Sequence, residues 1–337
     1  MARRGVLRHR IKSTGERVLI RNGALDLLKI IMALMVIGMH TGFLTDVSDL
    51  VSYVTLNGLF RIAVPVFLII NGYFFYRTSS TGDESGWFKR VALLYLIWMA
   101  LYLPYWLPDY HNGLPSFVVK LVRTIFFGYY HLWYLAGMLG AAVVLSILVK
   151  LGSKITLLAA TLAFILGVII QYAGSYAVLG AGDLTATLTL RWVHRNFLLV
   201  SFPFFCAGYF LNKFQVVDRV KVGTAVGFVA IGLVSLMIES LLNFYDATGD
   251  RAFDNLLSLA ILCPAIFILF MKTNVKVSSK EIAKYSTGIY LVHVLAIFWI
   301  QKFFSISSTV LTAAVAVVAT ILTYGLIKAS RRLPFIR

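Results

Sequence analysis

The chain has 337 residues, of which 60% are hydrophobic and 13% are charged, and its formal net charge is +17. This composition is typical of a protein that crosses a membrane several times and excludes a large soluble core. Nucleic-acid binding is disfavoured because the cations lie between apolar runs, where the positive-inside rule places them. Cys206 and Cys263 lie in apolar runs, which predicts buried free thiols rather than a disulfide framework.

Both ends of the chain are basic. Residues 1–21 hold seven cations, which predicts a basic cytoplasmic tail in contact with anionic lipid, with nucleic-acid binding as the alternative. Residues 331–337 are predicted to form a second basic cytoplasmic tail, and residues 22–330 the transmembrane domain between them. The first apolar run is of spanning length and lacks a small-residue cleavage site, so no cleavable signal peptide is predicted.

Ten apolar runs approach the roughly 20 residues that cross a bilayer as a helix. They predict an all-α polytopic membrane protein with about ten transmembrane helices around a central cavity. With both termini cytoplasmic, 23 of the 31 Lys and Arg residues fall on the cytoplasmic side and six on the other, as the positive-inside rule expects. The expected location is a bacterial inner (cytoplasmic) membrane. The predicted spans are 24–44, 55–76, 88–107, 131–149, 155–172, 195–212, 222–240, 253–271, 284–303 and 308–328.

The connection 108–130 differs from the other loops. Turn residues are followed by an apolar run that is too short to span and is interrupted by Lys120 and Arg123. This pattern is typical of an interfacial or re-entrant helix. No internal repeat is predicted, although the segments VPVFLIINGYFF and FPFFCAGYF look alike.

The first span is apolar but carries Asp26, Lys29 and His40. Ionisable groups inside a spanning helix are costly and usually face a protein interior or a wet cavity, so they are candidate functional residues. Lys29 and His40 are 11 residues apart, which is close to three helical turns, so both are expected on one face. Their separation along the helix axis is roughly 16 Å.

His40 is the first candidate for catalysis. Imidazole is the side chain whose unperturbed pKa makes it a base near neutral pH. The alternative is a histidine at a helix end that only hydrogen-bonds a neighbouring carbonyl group. A lysine on the same helix face favours the catalytic interpretation.

Three further cations have two interpretations each. Arg61 in the second span needs a partner, either Asp26 or a ligand anion, unless its head group reaches the outer interface. Lys89 and Arg90 begin the third span. They act either as a topology anchor or as a clamp for a phosphorylated ligand, since Arg pairs with phosphate through a bidentate fork.

Further polar groups lie at predicted span ends. The block GYYHLWYL, 128–135, is either an aromatic belt at the interface or part of a site. Tyr290 and His293 are about one helical turn apart and share a face. The candidate acceptor or oxyanion contacts are His131, Trp133, Tyr134, Arg195, Asn196, Tyr290 and His293.

An outer loop contributes three carboxylates. Asp246, Asp250 and Asp254 cluster there and are expected to be solvated. No metal site is predicted, and the sequence contains no phosphate loop, dinucleotide fingerprint, HExxH or GxSxG pattern.

Lys29 and His40 lie in LDLLKIIMALMVIGMH, which resembles a motif of the membrane-bound acyltransferase-3 family, a basic residue and a histidine separated by ten residues. The resemblance covers about 21–328. Residue 29 is Lys where Arg is common, which keeps the charge but loses the planar fork. Asn71 stands where a Ser is common. Four further blocks resemble the family in the expected order: RIAVPVFLIINGYF at 61–74, HLWYL at 131–135, RNFLLVSFPFFCAGYFL at 195–211 and STGIYLVH at 286–293.

The resemblance implies O-acylation, usually O-acetylation of a cell-surface polysaccharide, by an O-acyltransferase. Acetyl-CoA or another acyl-CoA is the implied co-substrate, and no permanently bound cofactor is expected. The family histidine matching His40 is held essential, together with the basic residue matching Lys29. Many relatives carry an extracytoplasmic hydrolase-like domain, and this chain resembles the stand-alone members. The expected partners are acyl-CoA, a polysaccharide or lipid-linked saccharide as acceptor, and membrane lipid, with no nucleic acid.

This implied chemistry assigns roles to the candidate residues. Arg61, Lys89 and Arg90 are assigned to acyl-donor binding, because the phosphates of acyl-CoA cannot enter hydrocarbon unpaired. The pantetheine arm is expected to follow a channel past Lys29 toward His40. His40 is expected to act as general base on a sugar hydroxyl, with a transient acyl-histidine as the competing mechanism. Arg61 or His131 is a candidate to stabilise the oxyanion.

Two alternatives of other classes stay open. Helices with buried charges also suit a transporter or flippase for a glycolipid or small metabolite. A membrane scaffold, whose buried charges only specify packing, is the other. Acyl transfer by the purified protein distinguishes the enzyme from both.

Overall fold

The computed structural model describes residues 10–11, 17–18, 22–108, 113–180, 182–247, 252–273, 275 and 282–330. Most of the predicted basic tails, 1–21 and 331–337, therefore lies outside the described residues. Within the first tail, strands β1 (Arg10–Ile11) and β2 (Arg17–Val18) form a short antiparallel pair.

The rest of the described chain is organised by helices, as the all-α prediction expects. Short 3-10 turns at Leu59–Ile62, Tyr130–Leu132 and Val149–Leu151, and a π-helical turn at Phe197–Ser201, extend neighbouring helices. The α-helices are α1 (Gly23–Thr41), α2 (Asp49–Leu56), α3 (Ala63–Thr81), α4 (Glu84–Leu101), α5 (Leu103–Trp106), α6 (Gly113–Phe127), α7 (Trp133–Leu148), α8 (Ser153–Ser175), α9 (Asp183–Leu188), α10 (Arg191–His194), α11 (Phe202–Lys213), α12 (Val216–Arg219), α13 (Val222–Asp246), α14 (Leu259–Lys272), α15 (Ile282–Phe303) and α16 (Ser308–Ser330).

Seven helical runs of the described chain are long and apolar enough to cross a membrane, so the chain is an integral membrane protein. They coincide with the predicted first, second, fourth, fifth, seventh, ninth and tenth spans. The helical run Phe197–Lys213 and α14 are apolar but shorter. α4 carries Glu84, Lys89 and Arg90 in its first two turns. The full count of ten spans, the central cavity and the cytoplasmic position of both termini stay predictions.

The predicted eighth span, 253–271, differs from the observed helix at its start. α14 begins at Leu259, and residues 252–258 form a non-helical loop. Gln171 of α8 and Glu239 of α13 each accept hydrogen bonds from two backbone N–H groups of this loop. Because these side chains satisfy backbone groups that a helix would pair internally, the loop is able to lie inside the protein.

Helices α3 and α11 approach each other closely through glycine. A Cβ atom at Gly72 would lie 1.9 Å from the carbonyl oxygen of Phe205, and one at Gly208 would lie 2.0 Å from that of Ile69. Small residues at such contacts let two helix backbones come together. These glycines belong to the two similar segments noted in the sequence, which therefore pack against each other.

Candidate functional site

Helix α1 carries the predicted catalytic pair and is fixed at both ends. Asn22 caps its start, where the side chain accepts hydrogen bonds from two backbone N–H groups, and Gly42 ends it at φ +73°. α1 packs against α3, α14, α15 and α16. Lys29 forms a salt bridge with Asp26, with 3.8 Å between Nζ and Oδ1. His40 forms no hydrogen bond with a carbonyl group of any described residue, so the helix-end alternative for His40 gains no support.

His40 lines a cavity of about 320 Å³, called here the His40 pocket. It brings together six of the residues predicted for the site, from segments that are far apart in the sequence. Its lining residues are Val36, Met39, His40, Arg61, Val64, Pro65, Tyr130, His131, Trp133, Arg191, Arg195, Val200, Ala252, Asp254 and Tyr290.

Aromatic rings surround the His40 imidazole. Its ring lies 4.7 Å from that of Tyr130 and 5.2 Å from that of His293, between centroids. Tyr130 has a φ of +47°, a left-handed conformation that is unusual for a bulky residue and that concentrates at functional sites. The strained turn places the tyrosine ring directly against the imidazole.

Two further histidines lie behind His40. His293 is fully buried, and its Nδ1 lies 2.6 Å from the backbone oxygen of Tyr290. A carbonyl oxygen only accepts, so Nδ1 donates, and the Nε2 atom of the neutral ring is left as an acceptor. The His131 ring lies 4.9 Å from the His293 ring and is also buried. The three imidazoles thus form one continuous contact.

Asp254 is the carboxylate that pairs with the pocket arginines. Its Oδ1 atom lies 2.5 Å from Nη1 of Arg61, and its Oδ2 atom lies 3.8 Å from Nη1 of Arg195. The Asp254 side chain is only 10% exposed, so the expectation that it is solvated is wrong, because the 252–258 loop carries it inward. Asp246 is exposed as expected, and Asp250 lies outside the described residues.

The partner of Arg61 is therefore Asp254 and not Asp26. Arg61 also donates a hydrogen bond to the side chain of Asn57, one turn before it. Its side chain is only 15% exposed, so most of it is enclosed by the protein. With both partners in place, Arg61 is held at the wall of the His40 pocket.

Part of the aromatic block at 128–135 is buried inside the protein. His131 and Tyr134 are 1% and 6% exposed, which does not fit a belt of lipid-facing rings. The guanidinium of Arg195 lies over the Trp133 ring, 4.9 Å from its centroid, in a cation–π contact. The Tyr290 hydroxyl donates a hydrogen bond to the backbone oxygen of His131, which joins α15 to this block.

Lys29 lines a second cavity of about 350 Å³, called here the Lys29 pocket. Asn71 donates a hydrogen bond of 2.8 Å to the Tyr134 hydroxyl in its wall. Tyr290 lines both pockets, so within the described chain Lys29 and His40 face two cavities that meet at one side chain rather than a single open channel. The lining residues are Lys29, Phe67, Ile70, Asn71, Phe74, Val91, Leu94, Tyr134, Leu135, Met138, Ser286, Thr287, Tyr290 and Leu291.

Three predicted site residues lie elsewhere. Lys89 is exposed and lines a separate open depression. Arg90 forms an exposed salt bridge with Asp83, 3.6 Å between Nη2 and Oδ2. Asn196 caps the helical turn that follows it by accepting hydrogen bonds from two backbone N–H groups. The donor clamp at Lys89 and Arg90 stays a prediction. The side-chain oxygen of Asn196 is already occupied by the hydrogen bonds of this helix cap.

Sequence reasoning missed Asp254, Tyr130 and Arg191 as pocket residues. The signal for Asp254 was present: Gln171 and Glu239 are polar residues in otherwise apolar spans, and such residues usually have buried partners. The strained φ of Tyr130 has no sequence signature.

Comparison with known proteins shows a family match over the part of the chain that forms both pockets. The acyltransferase domain model matches residues 22–328. The chain is 24% identical to an amino-acid racemase of Enterococcus faecalis, over 82% of this chain and 41% of that protein. It is 25% identical to a serine/alanine racemase of Enterococcus gallinarum, over 90% of this chain and 45% of that protein. The chain thus spans less than half the length of these curated relatives, and no solved structure matches it.

The family match contains every element that builds the two pockets, from the start of α1 to the end of α15. The resemblance first noted around Lys29 and His40 therefore extends over the whole described membrane domain. This chain belongs to the acyltransferase-3 family of membrane proteins.

Proposed function

We propose that this chain transfers an acyl group, an acetyl group from acetyl-CoA in the simplest case, to a hydroxyl of a cell-surface or lipid-linked carbohydrate. The observation that carries the proposal is the position of His40, whose imidazole lines a cavity near the end of α1. A neutral imidazole in a cavity is suited to take a proton from a hydroxyl group.

In the proposed reaction His40 accepts the proton of the sugar hydroxyl while its oxygen attacks the thioester carbonyl carbon. The tetrahedral intermediate collapses as the carbon–sulfur bond breaks, and the imidazolium returns the proton to the leaving thiolate. The products are the sugar ester and free coenzyme A. The guanidinium of Arg195, which shares its carboxylate with Arg61, is a candidate to stabilise the oxyanion. An acyl-histidine at His40 is the competing route.

The Lys29 pocket is the proposed path of the donor. Its lining is mostly apolar, with a few uncharged hydrogen-bonding groups such as Asn71 and Thr287. This suits the slender amide-containing pantetheine arm better than the nucleotide, whose phosphates would stay outside near Lys89 and Arg90. The thioester then has to pass Tyr290 to reach His40, so a movement of this side chain is part of the proposal.

The experiment is acyl transfer by the purified protein in nanodiscs, followed by coenzyme A release and by the mass of the saccharide. A His40→Ala protein is expected to lose about 10²- to 10⁴-fold in rate, the contribution of a general base. Leu34→Ala on the exposed side of α1 is the matched control and is expected to keep its rate, because Leu34 is 40% exposed and contributes to neither pocket. Near-normal transfer by His40→Ala would reject the assignment.

A transporter for a small metabolite is the second candidate, because three arginines line the His40 pocket and two relatives are named for reactions of amino acids. Both are described as racemases of amino acids, and this chain matches less than half of each. A pocket with three arginines also suits the carboxylate of an amino acid. Uptake of serine or alanine into proteoliposomes without acyl-CoA would favour transport, whereas coenzyme A release that depends on a saccharide favours acyl transfer.

The proposed location is a bacterial inner membrane with both termini in the cytoplasm. It is supported by the apolar helical runs and by the cation distribution between them.

A further inference from the structure

A third cavity lies beside the His40 pocket and is called here the arginine groove. It has a volume of about 340 Å³. It shares Tyr130, Trp133, Arg191 and Arg195 with the His40 pocket, so the two cavities are direct neighbours. Arg123 of α6, a residue so far assigned only to an interfacial helix, lines its far side.

The groove carries an excess of positive charge. Three arginines line it, and none of its described lining residues is acidic. Arg195 and Arg61 both form a salt bridge with Asp254, so a single carboxylate is shared by two guanidinium groups. Neither Arg123 nor Arg191 forms a salt bridge with any described residue. Guanidinium groups in such a setting favour a ligand with a carboxylate or a phosphate.

Aromatic rings alternate with these arginines. Trp192 is 45% exposed and Tyr130 is 44% exposed, so part of each ring is free to contact a ligand. The apolar face of a sugar ring packs against aromatic rings by dispersion. Arginine forks and open aromatic faces next to the proposed site of a sugar hydroxyl therefore fit a charged saccharide better than a free anion.

Resting on the proposed function, we infer that the acceptor is an acidic saccharide, and that Arg123 and Arg191 bind the carboxylate or phosphate of a sugar unit that lies outside the His40 pocket. An anionic lipid headgroup offers the same phosphate chemistry, but it lacks the sugar faces that the aromatic rings would cover. These two arginines would thus select the acceptor without taking part in the proton transfer.

The experiment compares trigalacturonate with its neutral methyl ester as acceptors, with mannose 6-phosphate as the phosphate probe. The protein is used in phosphatidylcholine nanodiscs, and both acyl transfer and direct binding by calorimetry without acyl-CoA are measured. The acid is expected to bind about tenfold more tightly than the ester, the effect of one charge-assisted hydrogen bond. Its affinity falls with added salt, and that of the ester does not.

Substitutions at Arg123 test whether this residue causes the preference for the acidic saccharide. Arg123→Gln is expected to raise KM for the acid about tenfold with kcat unchanged and with no change for the ester. Arg123→Lys restores part of the affinity because it keeps the charge. Lys120→Gln, on the same helix but outside the groove, is the matched control and leaves all constants unchanged.

The outcomes separate this inference from the proposed function. Transfer to acid and ester with equal kcat/KM, or equal binding of both, overturns the inference and leaves acyl transfer in place. Tighter binding of the acid that depends on Arg123, without any transfer, supports the groove and rejects the enzyme. If added phosphatidylglycerol displaces the acid through Arg123, the groove binds lipid and the inference is wrong.

Discussion

The two pockets that meet at Tyr290 differ in the groups that line them. The His40 pocket contains two imidazoles, three guanidinium groups and one carboxylate, whereas Lys29 is the only charged group in the described lining of the Lys29 pocket. Charged groups in a confined cavity act strongly on a reacting hydroxyl, and an apolar cavity accepts an uncharged chain without desolvating an ion. Under the proposed function, proton transfer and acceptor binding are assigned to the His40 pocket and donor passage to the Lys29 pocket.

The largest expected effect comes from removing Asp254, the only carboxylate in the described lining of the His40 pocket. Asp254→Ala leaves Arg61 and Arg195 close together and largely buried, and breaking such a pair costs about 3–5 kcal/mol. The free energy of unfolding, measured by denaturant titration in detergent micelles, is expected to fall by that amount. Asp246→Ala, at an exposed position, is the control, and equal stability of the two variants would contradict the role of Asp254.

Tyr290 tests whether the pockets have to stay separate. Tyr290→Phe keeps the ring between them but removes the hydroxyl that donates to the backbone oxygen of His131, a cost of about 0.5–1.5 kcal/mol in stability. Tyr290→Ala removes the ring and is expected to raise acyl-CoA hydrolysis without acceptor, because water then reaches the thioester. Hydrolysis at the wild-type rate in Tyr290→Ala would show that the ring is not the barrier.

Lys29 tests the assignment of the other pocket to the donor. Lys29→Gln is expected to raise KM for acyl-CoA about tenfold, equivalent to about 1.4 kcal/mol, with little change in KM for the saccharide. Lys29→Arg keeps the charge and is expected to stay near the wild-type value.

Asp26 is the salt-bridge partner of Lys29, so stability has to be separated from function. The double variant Asp26→Asn with Lys29→Gln removes both charges and is expected to restore stability but not donor affinity. If the double variant restores donor affinity as well, Lys29 acts only through the fold.

The smallest expected effects on stability come from the hydrogen bonds that hold the two ends of α1. Asn22→Ala at the Lys29 end removes a helix cap and is expected to cost roughly 1 kcal/mol at any pH. At the His40 end, Asp46 accepts hydrogen bonds from the hydroxyl and backbone N–H groups of Thr309 at the start of α16. Asp46→Ala is expected to lower the unfolding temperature less, because this loop is exposed.

The Asp46 contact is also expected to depend on pH. The Thr309 hydroxyl, with help from Ser307, lowers the pKa of Asp46 below its usual value. A carboxyl whose folded-state pKa is lowered stabilises the fold above its unfolded pKa of about 4 and loses this effect as the pH falls through the folded value. Thermal unfolding of wild type and Asp46→Ala from pH 7 to pH 3 should therefore converge at the acid end, and a constant gap would contradict this assignment.

Much of the fold follows from local pattern in the sequence. Long apolar runs with cations between them predict helices at membrane-spanning length, and seven of the predicted spans coincide with such helices. The spacing of Lys29 and His40 predicts a shared helix face, because helical periodicity is a local property. The buried thiols Cys206 and Cys263 follow from the same apolar pattern and are confirmed.

The site residues that sequence reasoning missed depend on contacts between distant segments. In the sequence, Asp254 has the pattern of a solvated loop carboxylate. In the structure its loop is buried, because Gln171 and Glu239 accept hydrogen bonds from the backbone of the loop. Lys89 and Arg90 lie at the surface, where Arg90 pairs with Asp83, and their role as a phosphate clamp stays a prediction. Burial and pairing are set by which elements pack together, and spacing along one helix does not report them.

The sequence by itself determined an integral membrane protein of the acyltransferase-3 family, with a lysine and a histidine on one wall of its first helix, because composition and periodicity act along the chain. Only the tertiary structure decided that these two residues face separate cavities and that Tyr290 lines both of them. It also decided that Asp254 forms salt bridges with two arginines. The physical reason is that a cavity or an ion pair exists only where segments far apart in sequence are brought within contact distance.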